Sequence, residues 1–510
     1  MSARAAYALV RAGWRYCAGL ATLLCACAVT LLCACTVGPD YVKPPVAIPA
    51  AYKEAQTDGS KWKPSTPQES APRGNWWTVF QDTRLDALEP QVAISNQTIA
   101  GAEANYRQAR ALVQATRAGY FPTVTAGAAV TRFRRSENVP GNTEATIGPS
   151  NNFLLPVEVS WELDLWGKVR RSVESSQAAA QASAADLETA RLSVQAELAL
   201  DYFQLRGVDA ERQLLEQTIV AFRTALELTR NRFEGGVASE VDVVLAETQL
   251  RTAEAEAIDL GVQRAQLEHA IATLLGKPPA DVALAVAPLD ASPPDVPSGV
   301  PSQLLERRPD IASAERQMAA ANARIGVAIA AYYPSVTLTA LGGFNASSID
   351  QWFSWPSRFW AVGPQISETV FDGGLRSALT DSARAAYDGT IANYRQTVLS
   401  AFQDVEDNLA ALRILADEAQ VEAAAVRAAR RSVTLTTNRY EAGAANYLEV
   451  VVAQAAALNN ERTAVDIATR RMAAGVRLVK ALGGGWNVAD LPTPEEVTAR
   501  TGTEPSHAAQ

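Results

Sequence analysis

Five cysteines and two histidines are all the thiol and imidazole that this chain of 510 residues holds, and their places limit its chemistry. Cys17, Cys25, Cys27, Cys33 and Cys35 fall within the first 35 residues, so none is left beyond for a disulfide framework, a zinc site or a nucleophile. His269 lies in an alanine-rich amphipathic stretch and His507 in a polar tail; both read as surface residues, and no histidine-based triad or metal site is expected. Gly483, Gly484 and Gly485 lack the lysine and hydroxyl residue of a phosphate loop. A formal charge of −9 offers no basic footprint for nucleic acid. The chain therefore does not read as an enzyme, and no cofactor is expected. Two kinds of chemistry remain: a thiol near the N-terminus that could carry lipid, and the carboxylates Asp242 and Glu449, each placed just after a glycine turn.

The N-terminus carries an address. Arg4, Arg11 and Arg15 precede an uncharged, mostly apolar run from Cys17 to Ala34, the pattern of a secretory signal over residues 1–34. Its end, Leu32-Cys33-Ala34-Cys35, resembles the lipobox of bacterial lipoproteins, in which the last cysteine is acylated and becomes the new N-terminus. Leu24-Cys25-Ala26-Cys27 has the same form, but cutting there would leave an apolar stub from Ala28 to Ala34. Cys35 is the expected lipidation site, with Cys27 and an uncleaved membrane anchor as the alternatives. Removal of residues 1–34 takes away three arginines and no acid, moving the charge from −9 to −12. By the same resemblance, Thr36 in place of aspartate directs the product to the outer membrane. Beyond residue 35 no run of 18 apolar residues exists, so any further crossing of a bilayer must be made as a β-barrel.

The elements that position the carboxylates come twice. The run from Arg232 to Ala246 recurs from Arg439 to Ala453, an offset of 207, and Leu275-Gly276 recurs as Leu482-Gly483. Trp166-Gly167 finds Asp372-Gly373 at 206, while Ile99 to Glu103 and Phe121-Pro122 recur as Ile311 to Glu315 and Tyr333-Pro334 at 212. Each copy reads helix, two strands, long helix, helix. The expected boundaries are an N-terminal extended segment over 35–82, a first repeat over 83–281, a linker over 282–302, a second repeat over 303–486 and a disordered tail over 487–510. Within the repeats, strands are expected at 120–132, 153–165, 335–345 and 359–371. Helices are expected at 168–233, 239–275, 375–440 and 446–482.

Leu155, Val157, Val159, Trp161, Leu163 and Leu165 alternate with Pro156, Glu158, Ser160, Glu162 and Asp164, a period of two long enough for a tilted membrane strand. Glu158, Glu162 and Asp164 are then expected to face a barrel lumen, and Trp352, Phe353 and Trp355 to sit in a loop at the membrane surface. Four strands cannot close a barrel, since natural ones need about eight, so several chains must contribute. In the long helices a period of seven runs through Leu187, Val194, Asp201, Val208, Leu215, Phe222 and Thr229, and again through Val398, Val405, Leu412, Ala419, Val426, Val433 and Tyr440. Such a repeat imposes coiled-coil packing over about 100 Å. Each long helix ends at a turn, Gly235-Gly236 or Gly443, after which Ser239 with Asp242, or Asn446 with Glu449, starts the return helix as a capping-box-like pair. Gathered around a common axis, these tips would form rings of carboxylate and of Tyr440, which select ions and gate.

Taken together, the segment Cys35 to Pro44, Trp76-Trp77 with Phe80 and Asp82, Leu304 to Ile311, the two tips, Phe371 to Gly374 and Leu482 to Trp486 resemble the outer membrane factors, the TolC-like exit ducts of tripartite efflux systems, in their lipoprotein (NodT-type) branch. The resemblance implies a mainly α protein with a transmembrane β part. It implies a homotrimer in which each chain gives four strands to a twelve-stranded outer-membrane barrel and its helices to a long periplasmic α-barrel. It implies docking of a periplasmic adaptor at the tips around Gly235, Gly236, Ser239, Gly443 and Asn446, an inner-membrane transporter of the resistance-nodulation-division type, and no nucleic acid. Constriction residues of similar proteins fall on Tyr440, Asp242, Leu448, Glu449 and Val452, with Glu449 expected to carry most of the charge. The alternatives are the outer-membrane component of a type I protein secretion system and a lipid-anchored coiled-coil scaffold without a channel.

Overall fold

The structure is a computed structural model and describes residues 36–54, 75–136, 138, 148–294 and 301–499. The signal segment, Cys27, Cys35 and the last eleven residues lie outside the described residues. In the first repeat the helices α1 (Thr83–Ser95) and α2 (Gln97–Arg117) lead to strands β1 (Thr123–Ala126), β2 (Ala129–Phe133) and β3 (Ser150–Leu163), followed by α3 (Lys168–Glu234) and α4 (Glu240–Leu274). The second repeat, after a single helical turn at Leu304–Arg307, runs α5 (Pro309–Ala330), β4 (Ser335–Ala346), β5 (Arg358–Ser367), α6 (Leu375–Glu441) and α7 (Tyr447–Ala481). A short α8 (Pro494–Thr498) closes the described chain.

The repeated motifs turn out to be the joints between elements. Asp82 accepts from the backbone N–H groups of Arg84 and Leu85, capping α1, and also accepts from the Tyr202 hydroxyl at 2.8 Å. Beside it Trp76, Trp77 and Phe80 are buried, the Phe80 and Phe203 rings 5.1 Å apart; burial of each such side chain contributes roughly 2 kcal/mol. Pro309 opens α5, where its missing N–H costs nothing, and Arg308 spans Asp310 at 2.7 Å and Asp404 at 3.1 Å. Gly483 (φ +95°) ends α7 so close to the Arg307 carbonyl that a Cβ would lie 2.0 Å from its oxygen; Gly276 (φ +66°) ends α4 against Ser95 in the same way. Thus the recurring Leu-Gly pair is where each return helix docks on the start of a short helix.

The heptad positions of α3 from Leu187 to Thr229 are buried, Asp201 alone being half-exposed. The two 67-residue helices are unequal, however. α3 packs against α2, α4, α5 and α7 and buries 26 residues, whereas α6 lies at the edge of the layer against α5 and α7 and buries eight. A membrane-length apolar helix is absent among the described residues. The strands form one antiparallel sheet in the order β1/β2, β3, β4, β5, with Val159 opposite Ala340 and Leu338 opposite Pro364.

Several expectations about the elements need correction. The strand expected over 120–132 is two, broken at Gly127-Ala128, because its partner position is Pro156: proline offers the ladder no N–H, and Gly127 N–H donates to the Pro156 carbonyl instead. The helix opening the first repeat is also two, divided at Asn96, whose side chain caps α2 and donates to the Leu274 carbonyl at 2.8 Å. The tail expected to be disordered from residue 487 is ordered to residue 499, since Val497 is fully buried against Val113 and Ala180 and Thr493 caps α8 with Glu496. In addition, the extended segment is helical over Trp76–Phe80.

Candidate functional site: hairpin tips and sheet

The two tips are built alike but wired differently. After α3, Gly236 at φ +73° lets Val237 N–H return to the Arg232 carbonyl, and Ser239 and Asp242 cap α4 reciprocally at 3.2 and 3.3 Å. After α6, Gly443 at φ +72° plays the same part, and Asn446 accepts from Glu449 N–H at 3.1 Å. Here the expected reciprocal cap is not completed, because the Glu449 carboxylate turns to Arg439 at 3.2 Å. An ion pair this exposed is weak, yet it places a positive charge beside the carboxylate expected to carry most of the constriction charge.

Tyr440 is buried within the chain. It lies with Tyr447, ring centroids 5.3 Å apart, in a small core that Phe222, Leu226, Leu250 and Val450 complete. Its heptad position explains this: the seam that carries Val398 and Val405 ends at Tyr440 and points at the neighbouring hairpin. Burial, then Tyr440 and Asp242, push the Tyr447 phenol up to about 12. Arg232 joins the hairpins, its guanidinium 4.7 Å from the Tyr440 ring and its Nη1 donating to the Glu441 carbonyl at 2.9 Å. Arg232 and Tyr447 were not among the expected site residues. Each stands within the recurring tip run, and a charged residue there, closing a helix C-terminus, was the available signal. Leu448 (52% exposed) and Val452 (61% exposed) form an apolar stripe on α7, one turn apart.

At the other end, Val124, Val130, Trp360, Val362 and Ile366 stand exposed on the sheet, and among the described residues both sheet edges are unpaired. Glu158 and Glu162 lie on β3, where Glu162 pairs with Lys168 at 3.0 Å. Asp164, expected on the strand with them, lies just past its end, and its carboxylate accepts from Val169 and Arg170 N–H at 2.8 Å each, capping α3. At the same corner Trp166 stacks on Tyr333 and donates to the Pro334 carbonyl at 2.7 Å, tying the repeats together. Thr36 rests on Gly167, where a Cβ would collide with it. No group of metal-ligating side chains is present among the described residues.

A profile described as outer membrane efflux protein matches residues 88–277 and 300–484, one match to each repeat. The toluene efflux pump outer membrane protein TtgF of Pseudomonas putida is 32% identical over 462 residues, covering 89% of this chain and 95% of its own. OprJ, an outer membrane protein of Pseudomonas aeruginosa, is 31% identical over 81% of this chain and 86% of its own. Among solved structures, the outer-membrane channel OprN superposes with a TM-score of 0.80 at 33% identity, over 89% of this chain and all of that one. The open state of the MtrE channel of Neisseria gonorrhoeae gives 0.77 at 28%, over 90% and 100%.

Proposed function

This chain belongs to the outer membrane efflux protein family, and from that premise we propose how it works as the passive outer-membrane exit duct of an efflux pump. Three copies close a twelve-stranded barrel, and their long helices form a tube reaching into the periplasm. The observation that carries this reading is the mismatch between a sheet with both edges open and helices of 67 residues. An open sheet bearing an apolar face cannot stand in lipid alone, because every edge N–H and carbonyl there needs a partner. Acyl chains on Cys35 hold the N-terminus at the membrane. Glu158 and Glu162 line the barrel. An adaptor docks at the tips around Gly235, Gly236, Ser239, Gly443 and Asn446, and a transporter of the resistance-nodulation-division type loads the tube.

The gate is apolar and ionic in turn. Leu448 and Val452 narrow the axis, Glu449 supplies the charge with Arg439 beside it, and Asp242 and buried Tyr440 hold the tip in shape rather than line it. In planar bilayers the purified acylated protein should run as a heat-modifiable trimer and conduct cations in preference to anions. Glu449→Gln should lower that preference; unchanged selectivity would remove Glu449 from the gate, and an electrically silent wild type would remove the duct.

A further inference from the structure

The first and last described segments cross equivalent positions of the short helices of the two repeats. Residues 37–41 cross α5: Asn322 Nδ2 donates to the Pro39 carbonyl at 2.9 Å, a Cβ on Gly38 would fall 2.4 Å from the Gly326 Cα, and Arg171 of α3 holds Asp40 at 2.8 Å. The repeat offset of 212 carries Asn322 and Gly326 back to Arg110 and Gln114 on α2. Those are the residues that grip the other end. Arg110 Nη2 donates to the Ala499 carbonyl at 2.6 Å and Gln114 Nε2 to that of Thr498, while Val497 enters between Val113, Tyr106, Ala109 and Ala180. From α3, Gln177 donates to Thr498 Oγ1 at 2.9 Å and Gln181 to the Pro492 carbonyl at 2.8 Å.

The far faces of these short helices differ. α5 lies between α3 and α6 and buries 14 residues; α2 packs chiefly on α3 and buries only Ile99 and Val113. Leu112, 57% exposed, is the repeat equivalent of Arg324, whose Nε reaches Ser175 Oγ of α3 at 3.3 Å. Among the described residues no further long helix covers the surface around Leu112. α6 is the matching piece: Leu379 is 55% exposed there, at the place of Val173 on α3, which is 6% exposed. Continuing the repeat past the end of one chain thus seats α6 of a second copy on α2.

We propose that residues Pro492–Ala499 are an assembly clasp, locking α2 onto α3 so that its Leu112 face receives α6 of a second copy of this chain. This rests on the trimeric reading above. The test compares the full acylated protein with a chain ending at Asp490, with Val497→Asp and with the milder pair Arg110→Ala, Gln114→Ala, each in detergent. Oligomer fraction is read by cross-linking and helix content by circular dichroism. Loss of the clasp should raise the monomer-to-oligomer ratio roughly tenfold at unchanged helix content, the double variant moving the same way by less, and Leu112→Asp should do so with the clasp intact. Variants as oligomeric as wild type would overturn the clasp alone. Loss of helix in all three would overturn it as well, by making the peptide part of the fold. A monomeric wild type would overturn the trimer and the clasp together.

Discussion

Glu89 sits on α1 with its side chain wholly buried and neither carboxylate oxygen hydrogen-bonded, and burial pushes its pKa up to about 9. In the unfolded chain the same group titrates in the ordinary carboxylate range, so between those values the folded form holds a proton that the unfolded form has lost. Stability then falls as pH rises through that window and levels off above it. Glu89→Gln should flatten the decline in melting temperature between about pH 5 and pH 9; an unaltered slope would exclude Glu89 as its source. The sequence cannot disclose such a group, because desolvation depends on what closes over it. The tip residues show the same boundary. That Asp242 and Glu449 would follow glycine turns was legible from spacing. That Glu449 would turn to Arg439, and Tyr440 inward to Tyr447, was not, since both depend on the neighbouring turn of backbone.

Among elements, the inter-repeat linker is held by a buried cluster. Asp209 of α3 accepts from Arg206 at 3.0 Å, from Arg264 of α4 at 2.9 Å and from Ala287 N–H at 3.0 Å, while Arg206 also donates to the Ala285 carbonyl at 2.8 Å. Breaking a buried pair by removing one partner strands the other, so Asp209→Ala should cost about 3 kcal/mol in urea unfolding followed by circular dichroism. A cost as small as that of a surface substitution would mean the linker is held by other contacts. One repeat on, Arg413 is the equivalent of Arg206, and it takes Glu54 of the N-terminal segment at 2.6 Å. Periods of two and seven made strand β4 and both long helices readable to within a residue, and β3 to within three. The break at Gly127 had a local signal in Pro156. α8 had none of comparable strength, because its order comes from Val113 and Ala180, far away in the chain.

The whole molecule reads as two copies of one unit, and that was the most legible feature of all, because an offset that drifts only between 206 and 212 survives substitution of most residues. What the offsets could not tell is that the copies would be packed unequally, α3 enclosed and α6 at the margin. Consider a newly secreted subunit before it meets its companions. Exposed arginines stand on both long helices, Arg223 and Arg230 on α3 and Arg427, Arg430 and Arg431 on α6, but α3 buries 26 residues among its neighbours and α6 only eight, so α6 opens more readily. Brief trypsin treatment of unassembled chains should therefore nick the second half first and leave the first as a surviving fragment; equal cutting of both halves would contradict this. The lifetime of an orphan subunit in a protease-rich compartment is then set by how soon its marginal helix is covered, and copies made out of step with one another are removed from that side.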